Sequence, residues 1–205
     1  MNYTTELRGH TVEYFDDGHV YLVDGVQVKS ITQILGWKFG NRFDHVDKDV
    51  LRKAAEEGTK VHAAIEKYCT EGIEADLPEV RNFKLLQKWY KFSVKKCEVP
   101  VLLHWIDGTV MAAGRLDLLI DIDGHTGIAD IKRTSALDKA YLTYQLNLYH
   151  IAYTQTYGEK VELLRGIHLK NDVRKVVRIP FKRTETFELL EEYRKENINE
   201  RLQRI

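Results

Sequence analysis

GRLDLLIDIDGHTGIADIKRTSALDKAYLTYQLNLY, residues 114–149, reads as two short strands joined by a turn and followed by a helix. Gly114-Arg-Leu-Asp117 opens the first strand, and Leu118, Leu119, Ile120 and Ile122 continue it as an apolar run. Gly124 to Gly127 marks the turn, and Ile128-Ala-Asp-Ile-Lys132 forms the second strand. Successive strand side chains point to opposite faces, so Asp130 and Lys132, two apart, share one face. A tight hairpin brings Asp117 beside Asp130, so two carboxylates and an ammonium are expected to converge.

That trio has a chemical meaning. Hard divalent cations such as Mg²⁺ take oxygen ligands, typically one or two carboxylates with phosphate and water. A lysine beside them orients or deprotonates a water, or neutralises charge that builds on phosphate. Metal-assisted phosphodiester hydrolysis needs little else. An isolated Asp-x-Lys, however, is most often a pair of ordinary surface charges.

The surrounding motifs change that balance. Gly58-Thr-Lys-Val-His62-Ala-Ala-Ile-Glu66, Gly114-Arg-Leu-Asp117, Asp130-Ile-Lys132 and Gln145-Leu-Asn-Leu-Tyr149 occur in this order. Together they resemble the PD-(D/E)XK nuclease superfamily, and within it the RecB-like and phage-type exonuclease branch. The resemblance spans residues 58–149, about half the chain. It implies an α/β fold with a mixed central sheet flanked by helices and an α-β-β-β-α-β, restriction-endonuclease-like core. It implies a Mg²⁺- or Mn²⁺-dependent DNA exonuclease acting in recombination, repair or processing, with Asp117, Asp130 and Lys132 as the catalytic set. The metal would be held by Asp117, Asp130, the Ile131 backbone carbonyl and His62. Gln145 and Tyr149 would lie beside the site and contact DNA, with Arg115, Thr134 and Ser135 as further phosphate contacts. Glu98 stands where relatives often carry a Glu near the metals, and Glu66 would hold a metal-bound water or orient the site. Relatives commonly carry Thr directly after the Lys; here Arg133 intervenes and Thr134 follows. The implied partners are linear DNA, engaged at its ends, and a recombination or single-strand-binding protein. A structure-specific or restriction-type endonuclease and a non-catalytic DNA-binding module of the same fold are the alternatives.

Composition bounds these readings. The 205 residues are enough for one domain with a sizeable core, and residues 1–46 are expected to form a β-rich extension packed on it. Lys and Arg number 31 and Asp and Glu 31, so net charge gives no drive toward nucleic acid and any attraction must be local. Cys69 and Cys97 are too few for a disulfide framework and lack metal-binding spacing. No apolar run has membrane-spanning length, and Met1-Asn-Tyr-Thr-Thr lacks signal-peptide character, so a cytoplasmic location in a bacterial host or phage-infected cell is expected.

Upstream, His10–Phe15 and His19–Val23 read as strands around the turn Asp16-Asp-Gly18, followed by Val26-Gln-Val28. Ser30-Ile-Thr-Gln33 is a capping box for a short helix ending near Gly36. Trp37–Asp47 has no clear period and reads as a loop, in which Asn41, Arg42 and His45 could meet a DNA strand. Residues 47–70 are helical, with apolar positions from Val50 and Leu51 to Val61, Ala64 and Ile65. Gly58-Thr59 within them would mark a junction of two helices or a close backbone approach. His62 and Glu66, four apart, share a face. A second helix is expected over Leu77–Cys97, with an apolar stripe of Phe83, Leu86, Trp89, Tyr90 and Val94, and a strand over Glu98–Trp105. After the hairpin come a helix to about Tyr157, strands over Val161–Lys170 and Arg174–Pro180, and a charged helix over Thr184–Arg204 that includes Ile198 and Leu202.

Overall fold

The computed structural model describes residues 2–40 and 46–202, the last five by backbone alone. Asn41, Arg42 and His45, and the side chains of Ile198 and Leu202, lie outside the described residues. The elements run β1 (Tyr3–Leu7), β2 (His10–Phe15), β3 (Val20–Val23), β4 (Val26–Ser30), α1 (Ile31–Phe39), α2 (Lys48–Glu71), α3 (Pro78–Tyr90), β5 (Phe92–His104), β6 (Val110–Ile122), β7 (His125–Lys132), α4 (Lys139–Tyr157), β8 (Leu163–Lys170), β9 (Val173–Arg178) and α5 (Arg183–Leu202). The expected α-β-β-β-α-β order is present as α3 to β8. The strands form one mixed sheet flanked by helices, ordered β1-β2-β3-β4-β6-β7-β8-β9, with β5 on β6.

Strand β6 is the spine. Along one edge it pairs antiparallel with β5 over nearly its whole length, from Phe92↔Ile122 to His104↔Val110. Its other edge is shared. The early part takes β4 in parallel, at Lys29↔Ala112 and Ser30↔Ala113. The late part takes β7 antiparallel, from Leu118↔Ala129 to Ile122↔His125. Parallel and antiparallel partners on one edge run toward each other, so the C-terminal ends of β4 and β7 meet head-on. Residues 114–117 of β6 lie in the notch between them.

Helices close both faces. Val61 and Ile65 of α2 and Val80, Phe83 and Leu86 of α3 pack with Leu118, Ile120, Ala129 and Ile131. Helices α1, α4 and α5 pack on the other face through Ile31, Ile34, Leu146, Leu148, Leu189 and Leu190 against Val101, Leu103, Leu119 and Ile128. The alternation along β7 sends Ile128 to one layer and Ala129 and Ile131 to the other.

Several local expectations shift. The second helix stops at Tyr90, not Cys97, and residues 92–97 begin β5. Lys91 ends the helix in the left-handed conformation (φ 50°), its N–H donating to Gln87 O. Glycine normally marks such a cap, so a lysine there carried no stop signal. The hairpin turn is Asp123-Gly124, earlier than expected. Both have positive φ (52° and 83°), which suits right-twisted strands, and Asp121 Oδ1 accepts the Gly124 N–H at 2.9 Å. Gly127 lies inside β7, where a Cβ would sit 2.9 Å from Leu163 Cβ. Helix α2 is continuous through Gly58, which faces open space, so it marks neither a helix junction nor a close approach. Val50 is 57% exposed, so the first half of α2 projects from the core and only Val61 and Ile65 are buried. The capping box at Ser30 is formed, with Gln33 N donating to Ser30 Oγ and Ser30 N to Gln33 Oε1, but α1 runs on past Gly36 to Phe39. Strand β1 has no counterpart in the sequence reading.

Gly114 is required by the notch. A Cβ there would lie 3.0 Å from both Ile31 Cδ1 and Tyr149 Cε1, tighter than side chains normally pack. Gly114→Ala is expected to cost about 1–3 kcal/mol by overpacking. A urea midpoint equal to the parent's would show that α1 and α4 yield without cost.

Candidate metal centre

The register lines up three carboxylates. Cys97↔Leu118 and Val99↔Leu116 place Glu98 across from Asp117 on one side. Leu118↔Ala129 places Asp130 across from Asp117 on the other. Three acids stand abreast on adjacent strands, an arrangement that repels itself unless cations intervene. Arg115 and Lys132 supply positive charge, His62 stands beside them, and all six residues line one cleft of about 400 Å³ at the notch.

Asp130 is 2% exposed, and burial pushes its carboxyl up to about 6 against the pull of the Lys132 ammonium. Lys132 Nζ lies 2.7 Å from Asp130 Oδ2. The Lys132 ammonium is therefore the partner of this buried oxygen. Burial opposes the charge on Lys132 as well, yet Asp130 and Asp117 outweigh it and hold the ammonium above its ordinary range. Asp117 Oδ2 accepts the Ile131 N–H at 2.7 Å, which fixes it at the divergence of the strands.

His62 reaches the notch from α2. Its Nε2 lies 3.0 Å from the Ile131 carbonyl oxygen. A carbonyl only accepts, so Nε2 carries a proton. Nδ1 sits 3.6 Å from Asp117 Oδ2. The His62, Glu98 and Asp117 ligand atoms all lie within 4.8 Å of one another. The His62, Glu98 and Asp117 donor atoms converge closely enough to share one cation. The nitrogen and oxygen donors suit Mg²⁺ or Mn²⁺, the imidazole tilting the set toward Mn²⁺.

The expected residues are thus distributed unevenly. Glu98 stands with His62 and Asp117 in the compact donor group, whereas Asp130 pairs with Lys132 at its flank. The Ile131 carbonyl is engaged by His62. Glu98 holds φ 50° within β5, a conformation that costs about 1–2 kcal/mol for a residue with a side chain. Burial and the neighbouring Asp117 push its carboxyl up to about 7, partly offset by Arg115. Glu66 does not line the cleft, although its charge reaches Glu98.

Among the expected DNA contacts, Arg115 lines the cleft but is bound to Glu98 at 2.5 Å and stacks 5.0 Å over the Tyr14 ring. Gln145 and Tyr149 line it from α4; Gln145 Oε1 is buried without a partner, and burial holds the Tyr149 hydroxyl well above its ordinary range. Thr134 and Ser135 lie outside the cleft; the Thr134 carbonyl accepts from His168 and Ser135 Oγ from Lys170. The sequence reading gave no site role to Tyr14, His19, Tyr21, Ser30 or Thr32, which form the N-terminal wall. Alternation along β2 put Tyr14 on an inward face, but no local signal tells which part of the molecule that face meets.

No family model matches this chain, and no curated protein matches it. Among solved structures it is similar to one titled "Crystal structure of SSO0001", at 18% identity over 79% of this chain and 84% of that one, with a TM-score of 0.37. At that level the likeness bears on neither fold nor function.

Glu98 and Asp130 both have folded-state pKa values above the ordinary carboxylate range, so both favour the protonated form on folding. Their stabilising contribution is complete below about pH 4 and lost as pH rises through about 6 to 7. Metal-free protein is therefore expected to lose stability across that window, and Glu98→Gln to flatten the loss. Urea midpoints at about pH 5 and pH 8 check this; an equal pH dependence in variant and parent would remove Glu98 as a source.

Proposed function

We propose that this protein is a metal-dependent deoxyribonuclease that hydrolyses phosphodiester bonds of linear DNA from its ends. The observation that carries the reading is the row of Glu98, Asp117 and Asp130 across three strands, with Lys132 and His62 beside it in one cleft. Asp117, Asp130, Glu98 and His62 would hold Mg²⁺ or Mn²⁺, which when bound supplies charge stabilisation at a phosphate and acidifies water.

The remaining chemistry belongs to the chain. Lys132, kept protonated by Asp130, holds positive charge where a phosphate gains negative charge, and its N–H groups can orient a water. Gln145, with an unpaired buried carbonyl, offers an acceptor to whatever enters. Arg115, at the wall formed with Tyr14, places a guanidinium where backbone phosphate can meet it.

The end preference follows from the cleft walls. Helix α2, the β2–β3 hairpin, the start of α1 and helix α4 all line this half-open cleft, and a strand threaded in by its terminus would meet all four. Contacts to phosphate position a strand without reading bases, so little sequence preference is expected, and binding should weaken with salt despite zero net charge.

One plasmid offered linear and covalently closed, with Mg²⁺ or Mn²⁺, tests this. Linear DNA should be degraded and closed circles resist. Discrete cutting of closed circles would replace the reading with an endonuclease, and absence of hydrolysis with any divalent metal would leave a binding module. Asp117→Ala, Asp130→Ala and Lys132→Ala should each lower turnover about 100-fold or more while remaining folded, and should combine non-additively because they act as one unit. Near-parental turnover in any of them sinks the assignment. His62→Ala should retain more activity than Asp130→Ala but need more Mn²⁺ for half-maximal rate; an unchanged Mn²⁺ midpoint would return His62 to a packing role.

A further inference from the structure

Arg133 directly follows Lys132 at the end of β7 and turns away from the cleft. Its Nε donates to Glu79 Oε1 at 2.9 Å, and its Nη1 to Glu57 Oε2 at 2.5 Å. Glu79 opens α3 and is 3% exposed; the same Oε1 accepts the Asn171 N–H from the β8–β9 turn at 3.2 Å. Burial opposes the charge on Glu79, but these donors outweigh it and hold the carboxyl below its ordinary range. Glu57 belongs to α2, the helix that carries His62.

We infer that Arg133 is a positioning residue that fixes His62 in the metal centre by clamping α2 to the end of β7 at a second point. The inference rests on the nuclease reading for what the centre does, but the clamp itself is geometry.

The first point of attachment is His62 Nε2 on the Ile131 carbonyl. The second is Glu57 on Arg133. Ile131 lies in β7 and Arg133 just past its end. Glu57 and His62 are five helical residues apart, roughly 7.5 Å. Both ties join α2 to the C-terminal end of β7. Val61 and Ile65 seat the inner half of α2 on the sheet, and the Glu57–Arg133 pair adds a tie on the projecting half of the helix. The angle of the helix over the notch decides where Nδ1 of His62 points relative to Asp117 and Glu98.

The fork geometry of arginine matters here. Nε serves the buried glutamate and Nη1 the exposed one, so a single planar group ties β7 to α3 and α2 together. A lysine could keep charge near Glu79 but could not hold both partners in this way. The Glu79 arm is nearly buried, and removing the cation altogether would leave an uncompensated buried carboxylate. The Glu57 arm is more than half exposed on the glutamate side and carries little stability by itself, so its purpose is better read as orientation.

The test compares parent, Arg133→Lys and Glu57→Gln, with far-UV circular dichroism to establish that each is folded. In metal-free protein, ¹⁵N NMR of the His62 ring should show a single Nε2–H tautomer in the parent and a mixture in both variants. Calorimetric titration with Mn²⁺ should show affinity about 10-fold weaker in Arg133→Lys, as for other partners that orient a ligand, and a smaller loss in Glu57→Gln. Unchanged His62 spectra in both variants would overturn the clamp. Intact parental spectra with no Mn²⁺ binding by the parent would instead defeat the nuclease reading and leave the clamp standing. Altered spectra with unaltered Mn²⁺ affinity would overturn the claim that the clamp serves the metal centre.

Discussion

The structure depends on one edge of β6 being divided between two partners. Backbone N–H and C=O groups along a buried strand must all be paired. β5 satisfies one edge of β6, and β4 and β7 divide the other. Because β4 runs parallel to β6 and β7 antiparallel, their ends collide rather than pass, and the ladder is interrupted at residues 114–117. The interruption leaves backbone groups to be satisfied by side chains, which Asp117 does for the Ile131 N–H. A topological break in a sheet is also where space opens at strand ends, and ligand sites in α/β proteins favour such places. The cleft is thus a consequence of strand direction, and the acids are placed where that direction changes.

The electrostatic cost of the row is met unequally. Asp130 is fully desolvated and held by one ammonium, Glu98 by one guanidinium, and Asp117 by a backbone N–H and proximity to His62. Pairing a buried charge offsets its desolvation only when further hydrogen bonds satisfy the remaining lone pairs. Here each acid meets one cation, Lys132 at Asp130 Oδ2 and Arg115 at Glu98, yet burial still pushes both carboxyls up. A site that leaves carboxylates under-compensated is poised for a proton or a cation, and perturbed acids in a cleft are a recognised mark of function.

Much of this was legible in the sequence where signals are local. The Ser30 capping box, the apolar run after Asp117, and the two-residue spacing of Asp130 and Lys132 each depend on a few adjacent residues, and each appears in the structure as read. Boundaries set without a local signal were not legible. Lys91 caps α3 with no glycine, and Phe92 to Cys97 carry three basic or polar residues that hide the change from helical to strand period. The first half of α2 has apolar residues at helical spacing, yet Val50 meets no core, because periodicity reports which face is apolar and not whether anything packs on it. The composition of the site was harder still. Glu98 could be seen as a candidate, but its place across from Asp117 rests on a register set over the whole length of β5 and β6.

The N-terminal strands were read as a support for the core, and their role at the cleft depends on a similar long-range pairing. Only Lys29 and Ser30 pair with β6, yet this short junction extends the sheet by four strands and brings Tyr14, His19 and Tyr21 to the cleft. Tyr14 then lies under the Arg115 guanidinium, and Arg115 holds Glu98. A chain of contacts therefore runs from β2 through Arg115 to a carboxylate of the candidate metal centre. Glu98 holds an unfavourable backbone conformation, and strain of this kind persists only where surroundings over-determine it. Arg115 is the contact that restrains its side chain, and Tyr14 restrains Arg115. The meander is accordingly part of the same device as the core strands: it walls the cleft on one side and, through stacked arginine and aromatic rings, constrains the acid on the other.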